Sequence, residues 1–154
     1  MTTTPEKPTL LIVEDNAVIS TMLQKTVKRR RGSTVDVLSA SNGKEGVELA
    51  QRTKPDLVLL DWMMPEYNGQ YFLSEQSRNP DIADVPVFVY TVVEEDELQA
   101  VLKKYPAVKQ LIHKPVSPTR IYDIITPYLK RRAWTPGSTQ ASSSEPQASG
   151  SPPA

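Results

Sequence analysis

The sequence of 154 residues contains no cysteine, which excludes disulfides, thiolate metal sites and cysteine nucleophiles. It also lacks an excess of charge, because 18 Lys and Arg residues balance 18 Asp and Glu residues. Proteins that bind nucleic acids or membrane surfaces usually carry a basic excess. No apolar run approaches the roughly 18 residues of a membrane span, and the amino-terminal residues lack the pattern of a secretory signal. We therefore expect a cytoplasmic protein that binds neither DNA nor a membrane directly.

Leu, Ile, Val and aromatic residues are absent from the last 20 residues. Such a segment cannot bury enough apolar surface to offset the entropy that is lost when a chain becomes ordered. We predict a short disordered segment over residues 1–8, one folded domain over residues 9–134 and a disordered Ser/Pro-rich tail over residues 135–154. A tail of this length has no room for a DNA-binding or catalytic output domain.

Within the predicted domain, five apolar runs alternate with five helical patterns. The predicted strands are Thr9–Val13, Thr34–Ala40, Leu57–Leu60, Val85–Tyr90 and Gln110–His113. The predicted helices are Ala17–Arg31, Gly43–Thr53, Gly69–Asn79, Glu94–Tyr105 and Pro118–Ala133. Pro127 should kink or split the last helix, because proline lacks the N–H that a helix needs. This alternation predicts an α/β fold with a doubly wound parallel sheet, whose ligands bind outside the carboxyl ends of the strands.

Carboxylates follow two of the predicted strands. Glu14 and Asp15 come directly after the first strand, and Asp61 follows the third. If these strands are neighbours, the three carboxylates converge, and they repel one another unless a cation compensates. Mg²⁺ prefers oxygen ligands and suits such a site. The alternative is that these acidic residues only cap the helices that follow.

Hydroxyl and ammonium groups lie at the ends of the last two strands. Thr91 follows the fourth strand, and Lys114 follows the fifth. Together with a metal and carboxylates, these groups fit phosphoryl transfer, in which catalysis is mostly positioning and charge neutralisation. Asp61 would be the nucleophile and would form an acyl phosphate. Lys114 would neutralise the phosphoryl oxygens, and Thr91 would donate a hydrogen bond to one of them.

The segments VEDN, PDLVLLDWMMPEYNG, VPVFVYT and KP resemble the receiver domain of bacterial-type response regulators, the CheY-like family. The resemblance covers about residues 9–130. It implies a flavodoxin-like (βα)5 fold with five parallel strands in the order 2-1-3-4-5. It also implies that Mg²⁺ is bound by Glu14, Asp15, Asp61 and the backbone carbonyl of Met63. Members of the family carry a cis peptide bond at the position of Lys114–Pro115.

The function that the resemblance implies is that of a single-domain response regulator. A sensor histidine kinase or a histidine phosphotransfer protein would phosphorylate Asp61. The protein would then signal by contact with an unknown protein target or by passing the phosphoryl group onward. It would not be an enzyme beyond Mg²⁺-dependent phosphorylation and dephosphorylation of its own Asp61.

Three positions depart from the family pattern, and the first is Glu14, where many members carry Asp although Glu is also common. Leu111 replaces the Tyr or Phe whose rotation usually reports phosphorylation, and Val92 replaces a small residue after the switch hydroxyl. These departures leave open an interaction module that phosphorylation does not control. A phosphatase of the haloacid dehalogenase type would need a second Asp where Met63 stands. A flavodoxin would need a hydroxyl- and glycine-rich loop instead of the acidic VEDNAV segment.

Overall fold

The computed structural model describes residues 7–129, apart from the side chains at positions 95, 97 and 101. The strands are β1 (Thr9–Val13), β2 (Asp36–Ala40), β3 (Leu57–Asp61), β4 (Val87–Thr91) and β5 (Val108–His113). The helices are α1 (Ala17–Arg31), α2 (Gly43–Thr53), α3 (Gly69–Ser77), α4 (Glu95–Leu102) and α5 (Pro118–Ile125). The predicted disordered tail and the far end of the last predicted helix lie outside the described residues, as does most of the predicted amino-terminal segment.

The five strands form one sheet in the order β2-β1-β3-β4-β5, and every pair is parallel. This confirms the predicted fold class and strand order. All ten elements exist where the sequence places them, and β1, α1 and α2 have the predicted bounds. Among residues 7–129, no helix is long and apolar enough to cross a bilayer.

Several predicted bounds are wrong, and the causes are local. β2 begins two residues late because Gly32–Thr34 form a short 3-10 helix. β4 begins at Val87, after Pro86, which has no N–H to contribute to a ladder. α3 and α4 end ahead of Pro80 and Pro106, since the residue before a proline disfavours helical geometry.

The remaining differences also concern element ends. β3 extends to Asp61 and β4 to Thr91, whereas β5 begins at Val108 rather than at Gln110 and α4 at Glu95 rather than at Glu94. α5 ends at Ile125 and continues as a 3-10 helix over Thr126–Tyr128. The interruption contains Pro127, so the predicted split is confirmed.

Side chains that alternate along each strand form two cores. On β1, Leu11 and Val13 belong to one buried cluster, whereas Leu10 and Ile12 belong to the other. The first cluster includes Phe72 of α3, and the second includes residues of α1 and α5. Because both faces are covered, the strands need apolar side chains at successive positions, which explains the uninterrupted apolar runs in the sequence.

Gly69 brings the start of α3 against the end of β3. A Cβ atom at this position would lie 2.7 Å from Cε3 of Trp62 and 3.1 Å from the backbone oxygen of Asp61. Gly69 N–H donates to the backbone oxygen of Trp62 at 3.0 Å. The glycine in this loop therefore permits a close approach that any larger residue would disturb.

We expect Gly69→Ala to destabilise the fold by about 1–3 kcal/mol, because the added methyl group must displace Trp62 or the backbone. Urea unfolding would measure the difference. Gln70→Ala, at the next and exposed position of α3, is the matched control and should change stability little. Equal stability of Gly69→Ala and the wild type would contradict the close packing.

Candidate functional site

Three carboxylates converge at the carboxyl edge of the sheet. Single oxygen atoms of Glu14, Asp15 and Asp61 all lie within 4.8 Å of one another. The register explains this arrangement, because Val13 of β1 pairs with Leu60 of β3, one residue before Glu14 and Asp61 respectively. The strand ends therefore bring together the acidic residues that the sequence predicted.

Helix capping does not account for this acidic cluster. The Oδ1 atom of Asn16 accepts hydrogen bonds from the N–H groups of Val18 and Ile19, at 2.9 and 3.1 Å. Asn16 is therefore the residue that caps α1. Glu14 and Asp15 are not needed for this purpose, so the capping alternative does not explain them.

Glu14 and Asp61 are buried, whereas Asp15 is exposed. Glu14 Oε2 accepts the N–H of Asn16 at 3.0 Å, and Asp61 Oδ1 accepts the N–H of Met63 at 3.3 Å. Burial, and then the Glu14 carboxylate, raises the pKa of Asp61 to about 7, although Lys114 opposes the shift. Without a compensating cation, the charged form of Asp61 is therefore disfavoured.

Lys114 contributes the positive charge of the site. Its Nζ atom lies 3.4 Å from Asp61 Oδ1 and 3.9 Å from Glu14 Oε1. The backbone N–H of Lys114 donates to the backbone oxygen of Thr91 at 2.8 Å, which fixes the start of this loop against β4. The Lys114–Pro115 bond is cis, as the resemblance implied.

Thr91 ends β4 and is fully buried. Its Oγ1 atom accepts the N–H of Val93 at 3.1 Å, so the hydroxyl is tied to the loop that leads into α4. Leu111 is half-buried on β5 and packs against the first core cluster. Its aliphatic side chain can neither donate nor accept a hydrogen bond.

Sequence reasoning missed Tyr90, the residue before Thr91. Its hydroxyl donates a hydrogen bond to Glu14 Oε1, and Lys114 Nζ lies 4.6 Å from the centre of its ring. Burial, and then Glu14, raises the pKa of Tyr90 above its ordinary value, so the phenol stays protonated and acts as the donor. No residue pattern signals this contact, because the alternation along β4 indicates that Tyr90 is a core residue.

An apolar groove was also missed. It has a volume of about 440 Å³ and is lined by Ile19, Met22, Leu23, Tyr90, Val92, Lys114, Pro115, Val116, Pro118 and Ile121. Tyr90 and Lys114 contact both this groove and the acidic cluster. Met22 and Val92 are largely exposed, so an apolar surface lies directly beside the charged site.

Trp62 and His113 lie close to site residues in the sequence. Trp62 is buried in the first core cluster and packs against the start of α3. His113 is half-exposed, and its Nε2 atom lies 3.7 Å from Glu94 Oε2. Neither position supports a direct chemical role in the acidic site.

The donor atoms fit a hard divalent cation. Carboxylate oxygens are the ligands that Mg²⁺ prefers, and the exposed Asp15 leaves the site open to the waters that Mg²⁺ retains. A cation would also oppose the burial and the repulsion from Glu14 that raise the pKa of Asp61. The three carboxylates therefore suit Mg²⁺, and the backbone carbonyl of Met63 stays a predicted ligand.

The comparison with protein families matches the response regulator receiver domain over residues 10–126. This chain belongs to that family, as its fold and acidic site also indicate. Receiver domains of the family accept phosphoryl groups in two-component signalling, interact with histidine kinases or phosphotransfer proteins, and use Mg²⁺ at an acidic site.

Three relatives illustrate the similarity. PilH of Pseudomonas aeruginosa is 32% identical over 107 residues, which are 70% of this chain and 85% of PilH. The PhoP transcriptional regulatory protein of Bacillus subtilis is 32% identical over 79% of this chain but only 48% of its own length. CheY4 of Vibrio cholerae has the same fold, with a TM-score of 0.70 at 21% identity over 80% of this chain and 99% of CheY4. The chain thus spans about half of PhoP and most of PilH.

The raised pKa of Asp61 predicts a pH-dependent loss of stability in the metal-free protein. The folded state keeps a proton that the unfolded chain releases near pH 4, so stability falls as pH rises from about 4 to 7 and stays lower above that range. In EDTA at pH 8, Asp61→Asn should therefore be more stable than the wild type by about 1–3 kcal/mol. The difference should disappear near pH 4.

Urea unfolding at several pH values would measure this effect, with the exposed Asp123→Asn as control. Mg²⁺ should stabilise the wild type more than Asp61→Asn, because ligands stabilise the state that binds them. Equal stability of the wild type and Asp61→Asn in EDTA at pH 8 would contradict the raised pKa of Asp61, which burial and then Glu14 cause.

Proposed function

We propose that this protein is a response regulator whose Asp61 accepts a phosphoryl group from a histidine kinase or a histidine phosphotransfer protein. The observation that carries the proposal is the position of Asp61. It lies at the carboxyl end of β3, beside Glu14 and Asp15, with Lys114 Nζ at 3.4 Å. Membership of the receiver family supports the same conclusion.

Each side chain has a stated role in the proposed transfer. An Asp61 carboxylate oxygen attacks the phosphorus, the new P–O bond forms, and the P–N bond of the donor histidine breaks with its electron pair on the imidazole nitrogen. Lys114 neutralises the phosphoryl oxygens, and Thr91 donates a hydrogen bond to one of them. Glu14, Asp15, Asp61 and the carbonyl of Met63 would hold Mg²⁺. The bound cation would offset the carboxylate charges and stabilise the charge on the transferring group.

A protein donor is supported by the surface beside the pocket. The exposed side chains of Met22 and Val92 line the apolar groove, which Lys114 also lines. Exposed apolar patches mark sites of protein contact. Because Lys114 lines both the groove and the acidic cluster, a protein bound there would lie next to Asp61.

We propose that the protein acts as a single receiver domain over residues 9–134. It would signal through contact with another protein or by passing the phosphoryl group onward. The match with PilH spans 85% of the length of PilH, which supports this part of the proposal. Leu111 packs against the core and cannot expose a hydroxyl group as a tyrosine could. This observation favours the second candidate function, an interaction module that phosphorylation does not control, and the following experiment separates the two.

We expect the wild type to form one acyl phosphate when treated with Mg²⁺ and acetyl phosphate, and Asp61→Asn to form none. Intact mass spectrometry would detect the added phosphoryl group, and peptide mapping would locate it. Asp123→Asn is the matched control, since it removes an exposed carboxylate on α5, and it should react like the wild type. Undiminished phosphorylation of Asp61→Asn would overturn the proposal. A wild type that does not react at all would favour the interaction module.

We also expect the phosphoryl group to be lost slowly. Hydrolysis needs a water in line with the phosphorus–aspartyl bond. In the family geometry, the side chains two residues after Asp61 and two after Thr91 flank that approach, and here they are the apolar Met63 and Val93. Neither can orient a water, so Met63→Asn with Val93→Glu should release phosphate faster.

Phosphate release from the purified phosphoprotein would measure this rate. Met63→Asn alone is also informative, because Met63 is 58% exposed and its replacement should not disturb the core. Met22→Asn is the matched control, as Met22 is a similarly exposed methionine on α1. Release at the wild-type rate in the double variant would show that other residues control the access of water.

A further inference from the structure

The Tyr90 side chain connects the sheet core with the acidic site. It belongs to the second core cluster, on the face covered by α1 and α5, and is 1% exposed. Its hydroxyl lies at the carboxyl edge of the sheet and contacts Glu14, which is 76 residues away in the chain. A buried phenol needs a hydrogen-bond partner. Here that partner is a carboxylate of the acidic cluster.

The Glu14 carboxylate is held at both oxygen atoms. Tyr90 donates to Oε1, and the N–H of Asn16 donates to Oε2 at 3.0 Å. Hydrogen bonds to an ionised acceptor are stronger than neutral ones. Each carboxylate oxygen has a further lone pair, so these two donors fix the orientation of the group and still leave it able to bind a cation.

The Tyr90 ring has a second contact in the same site. Lys114 Nζ lies 4.6 Å from its centre, within the range of a cation–π interaction. The same ammonium group lies 3.4 Å from Asp61 Oδ1. The hydroxyl and the ring therefore contact one acidic and one basic group of the site, and Phe at this position would keep the ring contact while removing the hydroxyl.

We propose that Tyr90 is a positioning residue, which orients the Glu14 carboxylate for binding a divalent cation through the hydrogen bond from its hydroxyl. The proposal rests on the proposed function, because the cation concerned is the Mg²⁺ of the phosphoryl-accepting site. Hydrogen bonds to ligating groups fix their orientation, and their loss commonly weakens metal binding by about 10–100-fold. Tyr90 is placed to supply such a bond from outside the ligand set.

The test is a titration of ¹⁵N-labelled protein with MgCl₂ alone, followed by NMR at the backbone amide of Met63. The spectrum also reports whether each variant is folded. Tyr90→Phe should raise the Kd for Mg²⁺ about tenfold. The matched control is Tyr122→Phe, which removes a hydroxyl from the same core cluster and should leave the Kd within about twofold of the wild type.

A second pair of variants shows whether Tyr90 acts through Glu14. In the Glu14→Ala background, adding Tyr90→Phe should not change the Kd further, because the group that Tyr90 orients is gone. This comparison still applies if Tyr90→Phe alone does not fold, since Glu14→Ala also removes the buried charge that the single variant leaves with one donor fewer, and any effect of Tyr90→Phe in this background contradicts an action through Glu14. A further loss of affinity in this background would overturn the proposal.

The outcomes separate this proposal from the proposed function. If the wild type binds Mg²⁺ and Tyr90→Phe binds it as tightly as Tyr122→Phe, the positioning role is wrong and the proposed function stands. If the wild type shows no response to Mg²⁺, both are wrong. Weaker binding by Tyr90→Phe, with no further effect in the Glu14→Ala background, is the result that we expect.

Discussion

The repulsion between Glu14 and Asp61 is the constraint on which the site depends. The parallel register of β1 and β3 places both carboxylates in one crevice, where burial strengthens their interaction. A chain selected only for stability would avoid this arrangement, since each ionised group raises the free energy of the other. The residues around the pair are therefore best understood by how they compensate for its charge.

Compensation comes from several directions in the described structure. Lys114 supplies positive charge, and the Tyr90 hydroxyl together with backbone N–H groups supplies hydrogen bonds. These contacts offset the cost of burial and the repulsion only in part, because burial and then Glu14 still raise the pKa of Asp61 to about 7. A site whose charge is incompletely compensated binds a cation favourably, and the rigid sheet beneath it prevents the carboxylates from moving apart. The crowded carboxylates lower the stability of the metal-free fold, and a cation that binds them relieves this destabilisation.

The fold could be predicted from the sequence because two signals agree along the chain. Apolar runs such as Leu57–Leu60 and helical patterns such as Ala17–Arg31 alternate regularly, and a parallel sheet satisfies both. Element ends were less predictable, since they depend on local competition. The 3-10 turn at Gly32–Thr34 and the bonds lost at Pro86 decide where the strands begin, and neither changes the apolar pattern.

The site could be predicted only where it follows from position along a strand. Asp61, Thr91 and Lys114 end or follow strands, so parallel pairing alone brings them to one edge. Tyr90 and Thr91 are successive residues of β4, so their side chains point to opposite faces of the sheet. The apolar run that contains Tyr90 indicates a core residue, and its ring does lie in the second core cluster. Only the tip of the side chain reaches Glu14, and that contact depends on side-chain length and strand twist, which no residue pattern records. Tyr90 could therefore not be assigned to the site from the sequence, because its ring belongs to the core and only its hydroxyl belongs to the acidic pocket.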